Sequence, residues 1–93
     1  MKYYPVHLDI KNRHCLVVGG GAVGTRKVNT LLECGARVRV VSPEPTRQLT
    51  KLASEGAITL ARRAYRSADL DGAFLVIGAT DDQSLNRQIH RDA

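Results

Sequence analysis

The stretch CLVVGGGAVGTRKV, residues 15–28, decides how this chain folds. It opens with an apolar run, CLVVG at 15–19, that is too short for a helix and indicates a strand buried on both faces. Glycines stand at the consecutive positions 19–21, and a helical pattern of apolar residues begins directly after them. A buried strand, a turn made of glycines and a helix in this order are the beginning of a βαβ unit.

Outward from this stretch, strands and helices alternate along the whole chain. Further strands are predicted at 6–10, 36–41, 57–63 and 73–80. Helices are predicted at 22–34, at 46–55 and from Asp81 or Asp82, either of which can cap it, to the end of the chain. Segment 67–72 is predicted to be a short connection with one helical turn.

The four main strands, with 15–19 counted as the first, predict an α/β fold. Because crossovers between parallel strands are right-handed almost without exception, we expect a Rossmann-like, doubly wound parallel sheet of strand order 3-2-1-4. Ligands of such sheets bind outside the carboxyl ends of the strands, where the order reverses. Residues 19–24 and 78–82 are expected to meet at that point, between the first and fourth strands.

The composition is that of one small domain over residues 1–93, with 43% hydrophobic but only 4% aromatic residues. The core is therefore expected to consist of Val, Leu, Ile and Ala. No apolar run reaches the ~18 residues that a membrane span needs, so no membrane partner is predicted. Cys15 and Cys34 lack metal-like spacing, so we expect reduced thiols, no metal site and a cytoplasmic location.

The net charge is +5, from 14 Lys and Arg against 9 acidic residues. These basic residues are dispersed, without aromatic interleaving, zinc spacing or a helix-turn-helix pattern, so no nucleic-acid partner is predicted. An anionic small molecule fits the charge equally well.

The glycine spacing is Gly19-x-Gly21-x-x-Gly24, which is typical of dinucleotide binding when a strand precedes it and a helix follows. In such sites the first glycine makes a tight turn, the second admits the pyrophosphate, and the third lets helix and strand pack closely. The amides of Ala22 and Val23 at the helix start then face the phosphates, helped by the helix dipole.

An acidic residue normally ends the second strand and binds the adenosine ribose, but Ser42 stands there instead. Serine can bond a ribose hydroxyl and does not repel a 2′-phosphate. Glu44 could reach back to the ribose, whereas Arg47 could meet a 2′-phosphate. These residues leave NAD and NADP both open as the cofactor.

Two segments carry a resemblance to a known family: 14–43, HCLVVGGGAVGTRKVNTLLECGARVRVVSP, and 79–89, ATDDQSLNRQI. They resemble the precorrin-2 dehydrogenase (sirohydrochlorin ferrochelatase) domain of siroheme synthase, and the likeness covers essentially the whole chain. Its most specific parts are Gly19-Gly20-Gly21 with Arg26-Lys27, then Leu31-Leu32 to Gly35-Ala36, and then Thr80-Asp81-Asp82 with Asn86. Family members often have alanine at the position of Gly24.

The resemblance implies an NAD-dependent oxidation of precorrin-2 to sirohydrochlorin in siroheme biosynthesis, with iron insertion in many members, and a homodimer. It places NAD contacts at Ala22 and Val23 and at Pro43 and Glu44, and Thr80 near the nicotinamide end. The predicted cofactor-binding residues are Gly19, Gly21, Ala22, Val23, Gly24, Ser42, Pro43, Glu44 and Thr80.

The family's proposed catalytic aspartate lies in an N-V-V-D strand after the last helix of this chain, which reaches Ala93. We therefore expect an incomplete domain, truncated before its fifth strand and without the dimerisation and helical regions. No catalytic residue can be named.

An alternative interpretation is a nucleotide-sensing domain of a potassium transport system, which resembles the chain in the glycine loop and in ATDDQSLN. Such domains usually keep an aspartate where this chain has Ser42, and they lack the Gly-Gly-Gly…Arg-Lys pattern. The enzyme family is favoured.

Other polar residues have structural explanations as well as functional ones. Asp81 and Asp82 suit the start of a helix, and Asn86 suits local hydrogen bonds within that helix. Three arginines follow the third strand, namely Arg62, Arg63 and Arg66. They could form a basic rim that captures the carboxylates of a tetrapyrrole, but a solvated edge is the favoured interpretation.

Overall fold

The computed structural model describes residues 9–93. Its strands are β1 (His14–Val18), β2 (Arg37–Val41), β3 (Ile58–Ala61) and β4 (Leu75–Gly78). Its α-helices are α1 (Ala22–Glu33), α2 (Arg47–Ser54) and α3 (Gln83–Asp92), and a 3-10 turn spans Ser67–Leu70. Most of the strand predicted at 6–10 lies outside the described residues, and Asp9 and Ile10 belong to no strand.

All strand pairs are parallel, and the sheet has the order β3-β2-β1-β4, as predicted. The order reverses between β1 and β4, where Val18 stands opposite Gly78. β3 and β4 are shorter than predicted at both ends, whereas β1 is shifted by one residue toward the N-terminus and β2 begins one residue later than predicted. The carboxyl ends of β1 and β4 thus meet at one edge, as the topology requires.

The two faces of the sheet bury alternate residues of each strand. Val17 and Val40 face α1 and α2, where they pack with Val28 and Leu49, and all four side chains are fully buried. The other face carries a smaller cluster in which Ile89 of α3 packs with three strand residues, namely Leu16, Val18 and Val41. Helices on both faces make the sheet doubly wound.

The connection between β3 and β4 is held by Asp69, which is buried in the 3-10 turn. Arg63 donates two hydrogen bonds to its carboxylate, at 2.5 and 2.9 Å, and the backbone amide of Arg66 donates another at 2.8 Å. Arg39 donates to its carbonyl oxygen. The bond from Arg63 lowers the pKa of Asp69 below its usual value. Arg63 is thus paired with Asp69, so its charge is matched within the fold.

Candidate functional site

The glycine loop lies against the segment that follows β4. Gly19 has φ +112°, and a Cβ built on it would lie 2.6 Å from the carbonyl oxygen of Ala79 and 2.9 Å from the amide nitrogen of Thr80. The amide of Gly19 also donates to the carbonyl of Val41 at 2.9 Å. Both the backbone conformation and the close approach therefore demand glycine at the first position of the pattern.

Gly24 is buried where α1 crosses the loop. A Cβ on Gly24 would overlap the carbonyl oxygen of Gly19 and lie 2.8 Å from its carbonyl carbon. Alanine here, as in members of the resembling family, requires helix and loop to move apart. Gly24 in this chain allows the close packing that the third position provides.

Gly21 has neither of these constraints. It is the N-cap of α1, with extended backbone at φ −83° and ψ −157°. Among residues 9–93, no atom beyond its own chain neighbours lies within 4 Å of a Cβ built on it. No side chain in the described part of the chain caps the helix, and the first turn of α1 carries no acidic residue. Open space thus faces the amides of Ala22 and Val23, both exposed, in the position where a phosphate group is favoured.

The site therefore fits the pyrophosphate of a dinucleotide by its own geometry. A Cβ at Gly21 would fill the space that the phosphate needs, and the uncapped amides supply hydrogen-bond donors. Val23 is 42% exposed at this end of the helix and is not part of the buried core.

The loop between β2 and α2 packs directly on Gly20, a residue to which sequence reasoning gave no role. A Cβ on Gly20 would lie 2.9 Å from both Cβ and Oγ of Ser42, and 3.0 Å from Cα of Pro45. The carbonyl of Gly20 accepts from the amide of Thr46 at 2.9 Å. Gly20 is the middle glycine of GGG and lies outside the fingerprint spacing, and its presence was the only signal for this contact.

Ser42 is only 5% exposed, and its hydroxyl accepts a hydrogen bond from the amide of Glu44 at 3.3 Å. Pro43 and Glu44 are exposed beside it, as is Arg47 at the start of α2. The Ser42 hydroxyl therefore stabilises this loop from its buried side. The side chains of the loop that reach solvent are those of the neighbouring residues.

A pair of threonine hydroxyls joins α1 to α2 beside the glycine loop. Thr25 Oγ1 lies 2.8 Å from Thr46 Oγ1 and 2.8 Å from the carbonyl oxygen of Gly21. Thr46 is also the N-cap of α2, where its hydroxyl accepts from the amide of Leu49. Sequence reasoning missed this bridge, because nothing in the sequence pairs residues 21 positions apart.

Asn86 reaches back from α3 to the segment after β4. Its side-chain amide hydrogen-bonds to both backbone groups of Thr80 and to the Thr80 hydroxyl. The expectation of bonds within its own helix is therefore wrong for this side chain. Asp82 caps α3 by accepting from the amide of Leu85 at 3.1 Å, which is the predicted role, whereas Asp81 is exposed.

The predicted cofactor residues thus form three adjacent groups at one edge of the sheet. These groups are the glycine loop with the start of α1, the loop between β2 and α2, and the segment that follows β4. Elsewhere, a cavity of about 490 Å³ lies near the amino ends of the strands and contains none of these residues. Within residues 9–93, no group of three or more His, Cys, Asp or Glu side chains is placed to hold a metal ion. No helix in that range is both long and apolar enough to cross a membrane.

Curated proteins similar to this chain are siroheme synthases. The chain is 47% identical over 89 residues to that of Thioalkalivibrio sulfidiphilus, 46% over 93 to that of Pseudoalteromonas atlantica, and 43% over 90 to that of Nitrosococcus oceani. These matches cover 96%, 100% and 97% of this chain. They cover 18%, 20% and 19% of the relatives, so the chain spans about a fifth of their length.

A solved structure described as SirC, precorrin-2 dehydrogenase, has the same fold. It superposes with a TM-score of 0.87 at 34% identity, over 95% of this chain and 44% of SirC. A protein-family model described as "Putative NAD(P)-binding" matches residues 6–93. By this match, and in agreement with its glycine loop, the chain belongs to that NAD(P)-binding family.

Proposed function

We propose that this chain is the NAD-binding part of a precorrin-2 dehydrogenase, an oxidoreductase of siroheme biosynthesis that converts precorrin-2 to sirohydrochlorin. The siroheme synthases and SirC support this proposal through matches over nearly the whole chain. The same matches favour it over the alternative, a nucleotide-sensing domain of a potassium transport system.

The observation that carries the proposal is that the three glycines of the pattern are under different structural constraints. Gly19 and Gly24 are required by packing, whereas nothing in the described fold requires Gly21 to lack a side chain. A glycine that the fold itself does not need, at an uncapped helix start, points to a ligand that does need it. Its neighbours Ala22 and Val23 would hold the pyrophosphate with their amides.

The remaining contacts follow from the three groups at the sheet edge. The exposed loop of Pro43 and Glu44 would border the adenosine ribose, with Ser42 supporting the loop from below. Thr80 would border the nicotinamide end. When bound, NAD⁺ supplies a hydride acceptor, and the chain contributes its binding and orientation.

NAD is preferred to NADP in this proposal, because Glu44 is the acidic residue nearest to the ribose position. Its carboxylate is exposed beside the glycine loop and would repel a 2′-phosphate. Arg47, also exposed, would instead favour NADP, because its guanidinium would attract the 2′-phosphate.

Substrate, assembly and location belong to the same proposal. The substrate is the tetrapyrrole precorrin-2, and the protein acts as a homodimer in the cytoplasm. β4 pairs with β1 on one side only within residues 9–93, and an apolar edge strand of this kind favours association. Both cysteines are free, as expected in a reducing compartment.

The test is calorimetric titration of NAD into the chain and its Gly21→Asp variant. Aspartate suits an N-cap with extended backbone, so the variant should keep its fold. It would place a carboxylate where the phosphates bind, and we expect affinity to fall about 100-fold or more.

Gly56→Asp is the matched control, since Gly56 also has open space around its Cβ position but lies at the end of α2, away from the glycine loop. Aspartate tolerates its left-handed backbone comparatively well. This control should bind NAD as the wild type does. Equal NAD affinity in wild type and Gly21→Asp would contradict the proposed site.

A further inference from the structure

The orientation of the Asn86 side-chain amide is fixed by the backbone of Thr80. Its Nδ2 donates to the carbonyl oxygen of Thr80 at 2.9 Å, and its Oδ1 accepts from the Thr80 amide at 3.3 Å. If the amide were flipped, donor would face donor and acceptor would face acceptor. The side-chain oxygen of Asn86, Oδ1, is therefore the atom that lies next to the backbone amide of Thr80.

This orientation also determines where the hydroxyl proton of Thr80 lies. Thr80 Oγ1 is 2.7 Å from Asn86 Oδ1 and 3.0 Å from the backbone carbonyl oxygen of Asp82. Both neighbours are pure acceptors, so the one hydroxyl proton must point to them. What remains at Oγ1 is the capacity to accept a hydrogen bond.

Thr80 lies where a ligand in the switch-point crevice can reach it. Its amide nitrogen is among the atoms that a Cβ on Gly19 would meet, so it adjoins the glycine loop directly. The residue is half-buried, not covered. A half-buried hydroxyl that can only accept selects for a ligand group that donates.

We propose that Thr80 Oγ1 accepts a hydrogen bond from the carboxamide N–H of the nicotinamide, and that Asn86 is the positioning residue that gives Thr80 this polarity. The inference rests on the proposed function, which places the nicotinamide end of NAD beside Thr80. It makes the site specific for a dinucleotide whose pyridine ring carries an N–H donor.

The test compares three ligands by calorimetry: NAD, 3-acetylpyridine adenine dinucleotide and ADP-ribose. The acetylpyridine analogue replaces the carboxamide with a methyl ketone, which accepts but does not donate. ADP-ribose lacks the ring and reports on the rest of the site. We expect wild type to bind NAD about three- to ten-fold more tightly than the analogue, the range of one neutral hydrogen bond.

Thr80→Val removes the hydroxyl while keeping the branched shape. It should bring the affinity ratio of NAD to the analogue close to one and leave ADP-ribose binding unchanged, which a merely structural effect would not do. Thr80→Ser should restore the ratio. Asn86→Leu should reduce it in part, because the hydroxyl then keeps only the Asp82 carbonyl as an acceptor and can also donate to the ketone.

Each outcome separates this inference from the proposed function. Tight NAD and ADP-ribose binding with no preference for NAD over the analogue in wild type would overturn the inference alone. A preference for NAD over the analogue that persists in Thr80→Val would also overturn the inference alone. Absence of both NAD and ADP-ribose binding in folded wild type would overturn the proposed function, and the inference with it.

Discussion

Gly19→Ala is expected to destabilise the fold strongly, because both the backbone conformation and the space at this position exclude a side chain. At φ +112° an alanine is strained, by about 1–3 kcal/mol. Its Cβ would also lie 2.6 Å from the carbonyl oxygen of Ala79, and overpacking of this kind costs about 1–3 kcal/mol. The obstacle is backbone of a paired strand end, so it cannot rotate away as a side chain would.

Together these effects remove about 2–6 kcal/mol from a free energy of unfolding that is about 5–14 kcal/mol for a chain of this size. For a small domain, that corresponds to a melting temperature about 8 °C or more below wild type. Thermal unfolding followed by far-UV circular dichroism measures it directly. The amide of Gly19 bonds to Val41, so the loss should be cooperative and not confined to the loop.

Gly21→Ala is the matched control, because it adds the same methyl group two residues away. Gly21 has φ −83° and open space around its Cβ position, so only a weaker N-cap preference is lost, about 1 kcal/mol or less. Its melting temperature should stay within about 8 °C of wild type. If Gly19→Ala melts no lower than Gly21→Ala, the packing argument for the first glycine is refuted.

Two further predictions concern charge. Asp69→Asn should lower the melting temperature by about 5 °C at pH 7, by weakening the bonds from Arg63. Since the folded-state pKa of Asp69 is lowered, its contribution is present above the unfolded pKa of about 4 and is lost as pH falls through the folded pKa. The melting difference between the two proteins should therefore shrink below about pH 4, and a difference that grows there would contradict this. In competition titrations NAD should bind about ten-fold more tightly than NADP, with Glu44→Gln reducing the preference; tighter NADP binding would implicate Arg47.

The sequence predicted the fold well because its signals are local. The periodicity of the apolar residues and the helix cap predicted at Asp81 or Asp82 depend on neighbouring residues only. Topology followed because right-handed crossovers leave few alternatives once the elements are known. For the same reason, the pattern Gly19-x-Gly21-x-x-Gly24 was enough to predict where a dinucleotide would bind.

Some roles depended on contacts between residues far apart in the chain, which no local pattern records. Gly20 against Ser42, and Thr25 with Thr46, became visible only when α1 and the loop before α2 were placed side by side. The pairing of Arg63 with Asp69 likewise depends on the fold of the connection between β3 and β4.

The sequence by itself determined that a strand, a glycine turn and a helix would form a dinucleotide-binding edge, because the backbone conformations involved are set by the residues themselves. Only the tertiary structure distinguished the three glycines of the pattern. Gly19 and Gly24 are held by neighbouring backbone, and Gly21 is left open. Tertiary structure likewise decided that the Thr80 hydroxyl donates to Asn86 and is left to accept from a ligand, because a hydroxyl proton points to the acceptors around it. The packing of α3 against the sheet brings Asn86 to that position.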